Sequence, residues 1–514
     1  MDTQRSPAPS PPAPSEGMDN ARRRFLLGSA GALASVPLLG LIPMARADEP
    51  KSLPDYAAWK DRSALIVHST NTLETHRDAI GAGVVTPSDR LFVRNNLPTP
   101  PEDIVTNADA WEVTFEGVRN PRSLTLAELK QIGVESVTTV LQCSGNGRAF
   151  FPHGASGTQW SVGAAGCVVW TGAPLREVVR ELGGVGDGMA FITSTGGEEL
   201  PAGLEPKTVV VERSVPTRAL ETAILAWGLN DEPLPIAHGG PLRVVVPGYY
   251  GVNNVKYVKR VAFTPEETDA KIQASGYRIR DVGQSGSPGQ PSMWEMNVKS
   301  WITSPLESTH KGRNLIYGVA LGGSEAVDNV EVSVNGGKDW QQARFVGPDL
   351  GPYAWRPFVL ATDLSPGEVR MSAGPPPSAA PPSRRDARTT NGVTDTMAGR
   401  TTESPYGSAD MSIHPTRLLA TVMLAAPALA DPLVSQGQAV FMEQAQPSCT
   451  LCHTLADAGA SGTVGPDLDE LAPSEQQVEA AVSNGVGVMP AYGDSLTREQ
   501  IAAVARYVSS VSGK

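Results

Sequence analysis

The sequence predicts three folded modules in series: a mixed α+β domain, an Ig-like β-sandwich and a small all-α domain. At 514 residues the chain is too long for one typical domain. Between about Ala58 and Pro265, β-branched runs such as Val137–Leu141 and Leu242–Val246 alternate with helix-like segments at Thr125–Ile132 and Leu175–Leu182, the mixture of an α+β domain. From Lys299 the pattern changes to alternation, in Leu315–Ala320 and Val330–Val334, and Asn335-Gly336-Gly337 supplies a hairpin turn. Beyond a stretch from 374 to 410 rich in proline, serine, threonine and arginine, Ile501, Val504 and Val508 mark one face of a closing helix.

The N-terminus reads as an export signal. Arg22-Arg23-Arg24 precede Phe25-Leu26-Leu27, an apolar stretch runs from Ser29 to Pro43, and Ala45-Arg46-Ala47 ends at a cleavage-like site before Asp48. Consecutive arginines at this place resemble the twin-arginine signal, so the expected location is the periplasm. The apolar stretch is shorter than the ~20 residues a membrane span requires. No span is expected in the mature protein.

A second pattern of this kind begins at Met411, with an apolar run from Leu418 to Ala426 and Ala428-Leu429-Ala430 before Asp431. Two separately exported proteins joined into one chain would leave this trace, and a cut after Ala430 would release the last module. An apolar helix within the linker is the alternative. The expected boundaries are a leader and signal at 1–47, the catalytic domain at 48–298, the β domain at 299–373, a disordered linker at 374–430 and the last module at 431–514.

A formal net charge of −12 argues against nucleic acid and anionic membranes as partners, because their phosphates would be repelled. A small redox protein, or an anion held in a locally basic pocket, stays compatible with it.

The chain has four cysteines. Cys449-Thr450-Leu451-Cys452-His453 has the spacing of covalent haem attachment: two thiols one turn apart bond the vinyl groups and the adjacent His453 ligates the iron. Met489, followed by Pro490, suits the opposite axial position, and a His/Met pair favours electron transfer by raising the potential. Gly465-Pro466-Asp467 supplies a turn between them, and the region resembles class I cytochromes c throughout. Cys143 and Cys167 remain. They could pair as a disulfide in an exported protein. Alternatively Cys143, in a glycine-rich loop after a strand and close to Arg148, could be a soft thiolate ligand or a nucleophile. The residues alone leave this open.

FVRNNLPTP (Phe92–Pro100), LQCSGNGR (Leu141–Arg148), HGGPLRVVVPGYYGVNNVKYVKRV (His238–Val261) and SGYR around Tyr277 together resemble the sulfite oxidase family of molybdenum enzymes. The likeness runs from about residue 85 to 372. Within that family, FVRNN and GYYGVNN are similar to the sulfane dehydrogenase subunit of bacterial thiosulfate-oxidising systems. The resemblance implies a molybdopterin-binding domain of the sulfite oxidase fold, with Cys143 as the thiolate on molybdenum. Arg94 and Arg148 would line an anion pocket, where a guanidinium fork matches a sulfur oxyanion. Tyr277 would donate a hydrogen bond beside the metal and relay protons. Phe92, Asn95, Asn96, His238, Arg243, Asn254 and Lys256 would hold the pterin and its phosphate.

Two departures matter. Asn96 stands where sulfite oxidases usually carry histidine, which favours the sulfane dehydrogenase branch. The β region ends near Ser372, short of the family's sandwich domain; the homodimer that domain usually builds is therefore an expectation with a strand or two missing.

The resulting expectation is a periplasmic molybdenum-dependent sulfur dehydrogenase. It would oxidise sulfane sulfur on a carrier protein, or sulfite, with oxygen from water, and pass electrons through its haem c to a soluble cytochrome c. The alternatives are a sulfite:cytochrome c oxidoreductase acting on free sulfite, a sulfoxide reductase, and an electron carrier with a degenerate molybdenum domain. A high-potential His/Met haem disfavours the reductase.

Overall fold

The computed structural model describes residues 51–153, 155–306, 312–364, 372–374, 388–390, 393–395, 431–486 and 489–513. Both signal-like segments, with Arg22–Arg24 and the cut expected after Ala430, lie outside the described residues.

Two five-stranded sheets build the large domain. One runs in the order Glu232–Pro233, Ile224–Leu229, Ala165–Pro174, Glu135–Gln142, and Arg243–Val245 also pairs with Ile224–Leu229. The other runs Arg122–Thr125, Glu112–Glu116, Val258–Thr264, Phe191–Gly196, Glu212–Pro216, with only the Glu112–Glu116 and Val258–Thr264 pair parallel. The expected strands around Val140 and Val244 are members of the first sheet. The expected helices form as Leu126–Ile132 and Leu175–Glu181. A capping box starts the first: Thr125 Oγ1 accepts from Glu128 N at 3.2 Å, and Glu128 Oε2 accepts from Thr125 N at 2.7 Å. Such a cap contributes about 1 kcal/mol. Both helices bury Leu129 and Val178 against Val113, Phe115, Val261 and Phe263 of the second sheet, each such side chain contributing roughly 1.5–3 kcal/mol on burial.

Strand register places the chemistry. Val140 faces Cys167 and Gln142 faces Ala165 across adjacent strands, so Cys143 is the first residue past the paired stretch. Its backbone N donates to Ala164 O at 2.9 Å, fixing the start of the glycine-rich loop. A three-stranded sheet of Leu65–Ser69, Thr72–Thr75 and Val93–Arg94 brings the FVRNN segment to the same region.

From Lys299 onward the alternation becomes two sheets. Lys299–Ser304, Gly312–Leu321, Arg356–Leu364 and Arg344–Phe345 form one; Gln341–Gln342, Glu331–Ser333 and Ser372–Gly374 form the other. Ile302, Ile316, Phe358 and Leu360 of the first share one apolar core with Val332 of the second, as packed sheets do. In the stretch expected to lack structure, Arg388–Thr390 and Val393–Asp395 pair with each other, and the former pairs with Arg280–Asp281. Backbone pairing with a distant partner carries no compositional signal, so the linker reading missed it.

The last module packs helix Pro432–Ala439 across helix Arg498–Val511. Gly437 permits the crossing: a Cβ there would run into the Ala503 carbonyl and Tyr507. Ile501, Val504 and Val508 are buried, as the periodicity predicts. A two-stranded hairpin of Thr454–Leu455 and Ala460–Ser461 is the departure from an all-α module. No helix among the described residues is long and apolar enough to cross a membrane.

Candidate active site

Ten of the residues singled out in the large domain, Phe92, Arg94, Asn95, Asn96, Cys143, His238, Arg243, Asn254, Lys256 and Tyr277, line one cavity of about 60 Å³. Arg148 joins Arg94, Cys143 and Tyr277 on the wall of a second, larger cavity of about 290 Å³. All four cysteines are free, which removes the disulfide alternative: Cys167 lies buried in the apolar core, and burial pushes its thiol up to about 12.

Backbone geometry makes room for Arg148. Gly147, at φ 93°, turns the loop into the short helix that begins at Arg148, a left-handed conformation that glycine adopts without steric cost. The guanidinium lies between Gly145 and Gly157, where a Cβ would stand 2.7 Å from Nη2 and 2.5 Å from Nη1. Its Nη1 donates to Thr158 O at 2.7 Å. Burial lowers its pKa to about 10, so it stays a cation at neutral pH. Tyr277 is buried too, which raises its phenol, while Arg94 pulls it back down. Arg213 stacks over its ring at 5.6 Å from the centroid and is held in turn by Asn253 and the Ile272 carbonyl.

The smaller cavity is built around Lys256 and Arg243. Lys256 Nζ donates to Asn95 Oδ1 and Ala237 O, both at 2.6 Å. Arg243 donates to the carbonyls of His238 and Asn254, both at 2.7 Å, and packs its guanidinium 4.8 Å from the Trp170 ring centroid. Asn254 Oδ1 accepts from Val246 N at 2.5 Å. Burial holds His238 and Lys256 well below their ordinary pKa values, so His238 is neutral. Glu198, which the sequence reading missed, lines the same wall; burial raises its carboxyl to about 7, against the pull of Lys256.

In the last module, Cys449, His453 and Met489 face the larger cavity. His453 Nδ1 bonds to Pro466 O at 2.9 Å, which fixes the ring and leaves Nε2 for a metal. Gly465 is required here, since a Cβ would collide with the imidazole. The same cavity is therefore lined by Cys143, Arg94, Arg148 and Tyr277 from the large domain and by Cys449, His453 and Met489 from the last module. Cys452 and Val464 pack into the apolar cluster of the large domain.

Residues 97–272 match the protein-family model described as oxidoreductase molybdopterin binding domain, and residues 432–508 match that of cytochrome C oxidase, cbb3-type, subunit III. Over 291 residues the chain is 31% identical to the sulfite oxidase of Arabidopsis thaliana, covering 52% of this chain and 72% of that one. It belongs to the sulfite oxidase family. The mitochondrial sulfite oxidase of Homo sapiens is 32% identical over 307 residues, 56% of this chain and 55% of its own. The chain thus spans about half the length of the mitochondrial relatives it matches. In fold it is similar to the crystal structure of the sulfane dehydrogenase SoxCD from Paracoccus pantotrophus, with a TM-score of 0.51 at 24% identity, over 68% of this chain and 86% of that one.

As a sulfite oxidase family member fused to a cytochrome c domain, the chain takes molybdenum–molybdopterin and haem c as cofactors. The residues present fit the first of these. Asn96 Oδ1, both amide atoms of Gln142, Ser144 Oγ, His238 Nε2 and Arg243 Nε are buried without a protein partner, and buried polar atoms need one. A cofactor rich in donors and acceptors, with an anionic phosphate, would satisfy such a set.

Proposed function

We propose that this family member is a periplasmic sulfur dehydrogenase that oxidises a small sulfur oxyanion, sulfite first of all, and releases electrons through its haem c to a soluble cytochrome c. The observation that carries this reading is the shared cavity, with Cys143, Arg94, Arg148 and Tyr277 facing Cys449, His453 and Met489. The molybdenum centre, when bound, supplies two-electron oxygen transfer, and the haem supplies a one-electron exit.

The chain's own residues do the rest. Cys143 would hold the metal. Phe92, Asn95, Asn96, His238, Arg243, Asn254 and Lys256, with Glu198, would hold the pterin and phosphate. Arg94 and Arg148 bind the anion from two sides; the Gly145–Gly157 slot keeps the Arg148 fork from turning, so little rotamer entropy is lost on binding. Tyr277, on the same cavity wall, would donate a hydrogen bond to the developing negative charge. Cys449 and Cys452 would carry the haem covalently, and His453 and Met489 would hold its iron.

Sulfane sulfur on a carrier protein is the second reading. Asn96 in place of histidine and the GYYGVNN segment favour it; the enclosure of the cavity by the cytochrome module favours the small free anion. Steady-state assays with sulfite alone, and with thiosulfate plus a carrier protein, test the two. Brisk carrier-free sulfite turnover supports the first, and turnover only with carrier overturns it.

A further inference from the structure

We infer that His68 and Glu74 form a proton relay opening on the cavity beside Cys143. The inference rests on the sulfur oxidation proposed above and deepens it by assigning the base that removes its protons.

Oxidising sulfite with water gives sulfate, two protons and two electrons. One S–O bond forms and both O–H bonds of the water break. The electrons pass singly to ferric haem c and on to an oxidised c-type cytochrome, and the protons need an acceptor. Most groups on the cavity wall are unsuited to that task. Arg94 and Arg148 are cations, Tyr277 is a buried phenol, Cys143 would hold the molybdenum, and His453 is bonded to Pro466 through Nδ1, its Nε2 being the atom that would hold the haem iron.

His68 differs from all of these. Its ring lines the same cavity, edge-on to Trp160 at 5.1 Å between centroids. Its Nε2 lies 2.6 Å from Glu74 Oε2. The other Glu74 oxygen accepts from Ser161 N and Gly163 N, both at 2.9 Å, and from the Ser161 hydroxyl. Glu74 is 1% exposed, and these donors fix its carboxylate in place. The pair has the form of a histidine oriented by a carboxylate: Glu74 is the positioning residue, and Nδ1, which has no hydrogen bond among the described residues, is the proton acceptor. Ser69 and Thr72, whose hydroxyls are 2.7 Å apart, line the cavity beside it and extend the path. The charged and titratable groups that face His68 are Glu74 from the neighbouring strand, Arg94, Arg148, Cys143 and Tyr277 on the large-domain wall, and Cys449 and His453 from the haem module.

The test uses the full-length, cofactor-loaded chain. His68→Gln should lower kcat about 100-fold, the low end of general-base contributions, while KM stays near wild type because Arg94 and Arg148 still hold the anion. The acid limb of the kcat profile should vanish, and added imidazole should restore turnover. If the substrate is a carrier-bound sulfane, water still supplies the oxygen, and the same profile is read on that substrate. Wild-type turnover decides the functional reading; the variant decides the relay. Independently of turnover, the ring-nitrogen resonances of His68, assigned by their loss in His68→Gln, should report a single tautomer protonated at Nε2, and that preference should be lost in Glu74→Gln. Wild-type kcat and pH profile in His68→Gln, or an unchanged His68 tautomer in Glu74→Gln, would overturn the relay. Should Glu74→Gln fail to fold, kcat and rescue in His68→Gln decide alone.

Discussion

The ammonium of Lys271, in the large domain, donates to the backbone carbonyl of Met489 in the haem module. Lys51 makes a similar bond to the carbonyl of Glu470. Two lysines therefore fasten the haem module to the surface that carries the Arg94 and Arg148 cavity, and one of them grips the residue read as an axial ligand.

Lys271→Ala should loosen that docking. Burial lowers the Lys271 ammonium to about 7, and below that pH a hydrogen bond from the charged donor contributes about 1.5–3 kcal/mol, so in mildly acidic buffer the docked fraction should fall roughly tenfold or more relative to undocked. Stopped-flow mixing with substrate should show haem reduction slowed by about that factor, with molybdenum content and the oxidised haem spectrum intact. Unchanged haem reduction would mean that the contact does not govern electron exit.

Cys143→Ser should abolish turnover. Its thiol is free and sits at the cavity wall where the two walls of predicted residues meet; a hydroxyl is a poor replacement for a soft thiolate ligand. The haem spectrum should be unaffected, since Cys449, Cys452 and His453 lie in another module. Metal analysis of the wild-type chain should find molybdenum, and its absence would return the protein to the electron-carrier reading.

Gly157→Ala should raise KM with a smaller effect on kcat. Gly157 sits at φ 91°, and an added methyl would stand against Arg148 Nη1. Both the backbone and the guanidinium must move, which costs on the order of 1–3 kcal/mol in a left-handed position. A KM increase of about 10-fold is expected from misplacing one of two anion-binding forks. Steady-state kinetics with sulfite measure it, and a fall in kcat at constant KM would place Arg148 elsewhere in the cycle.

How much of this was legible in the sequence follows the range of each interaction. The haem residues lie close together or in a recognisable loop, and the spacing of Cys449, Cys452 and His453 is itself the chemistry. Cys143 and its neighbour Arg148 stand out by chemistry and gain their roles through resemblance, Arg94 and Tyr277 through resemblance alone, and the structure brings all four to one cavity. Glu74, His68 and Glu198 stayed hidden because they are single polar residues on short strands or loops, and only the packing of Ser161 and Gly163 onto Glu74 gives that carboxylate its role. Gly157 was equally silent, since its function is to be small next to a residue it does not neighbour in sequence. The pairing of Arg388–Thr390 with Arg280–Asp281 went unseen for the same reason.

Glu198 yields a prediction in pH. Burial raises its carboxyl to about 7 in the folded chain, against about 4.3 in an unfolded one. The folded state thus binds more protons across that interval. The stability Glu198 contributes is complete below about pH 4.3 and is lost as pH rises through about 7. Glu198→Gln stays neutral throughout and lacks this loss. The stability of the variant relative to wild type should therefore rise between pH 5 and pH 8, by about 2 kcal/mol. Paired denaturation curves of both proteins, prepared without cofactor, measure the difference, and titrations not coupled to Glu198 cancel between them, Lys256 being the coupled neighbour. A constant difference at both pH values would mean that Glu198 is ionised in the folded chain, with Lys256 as its counter-ion.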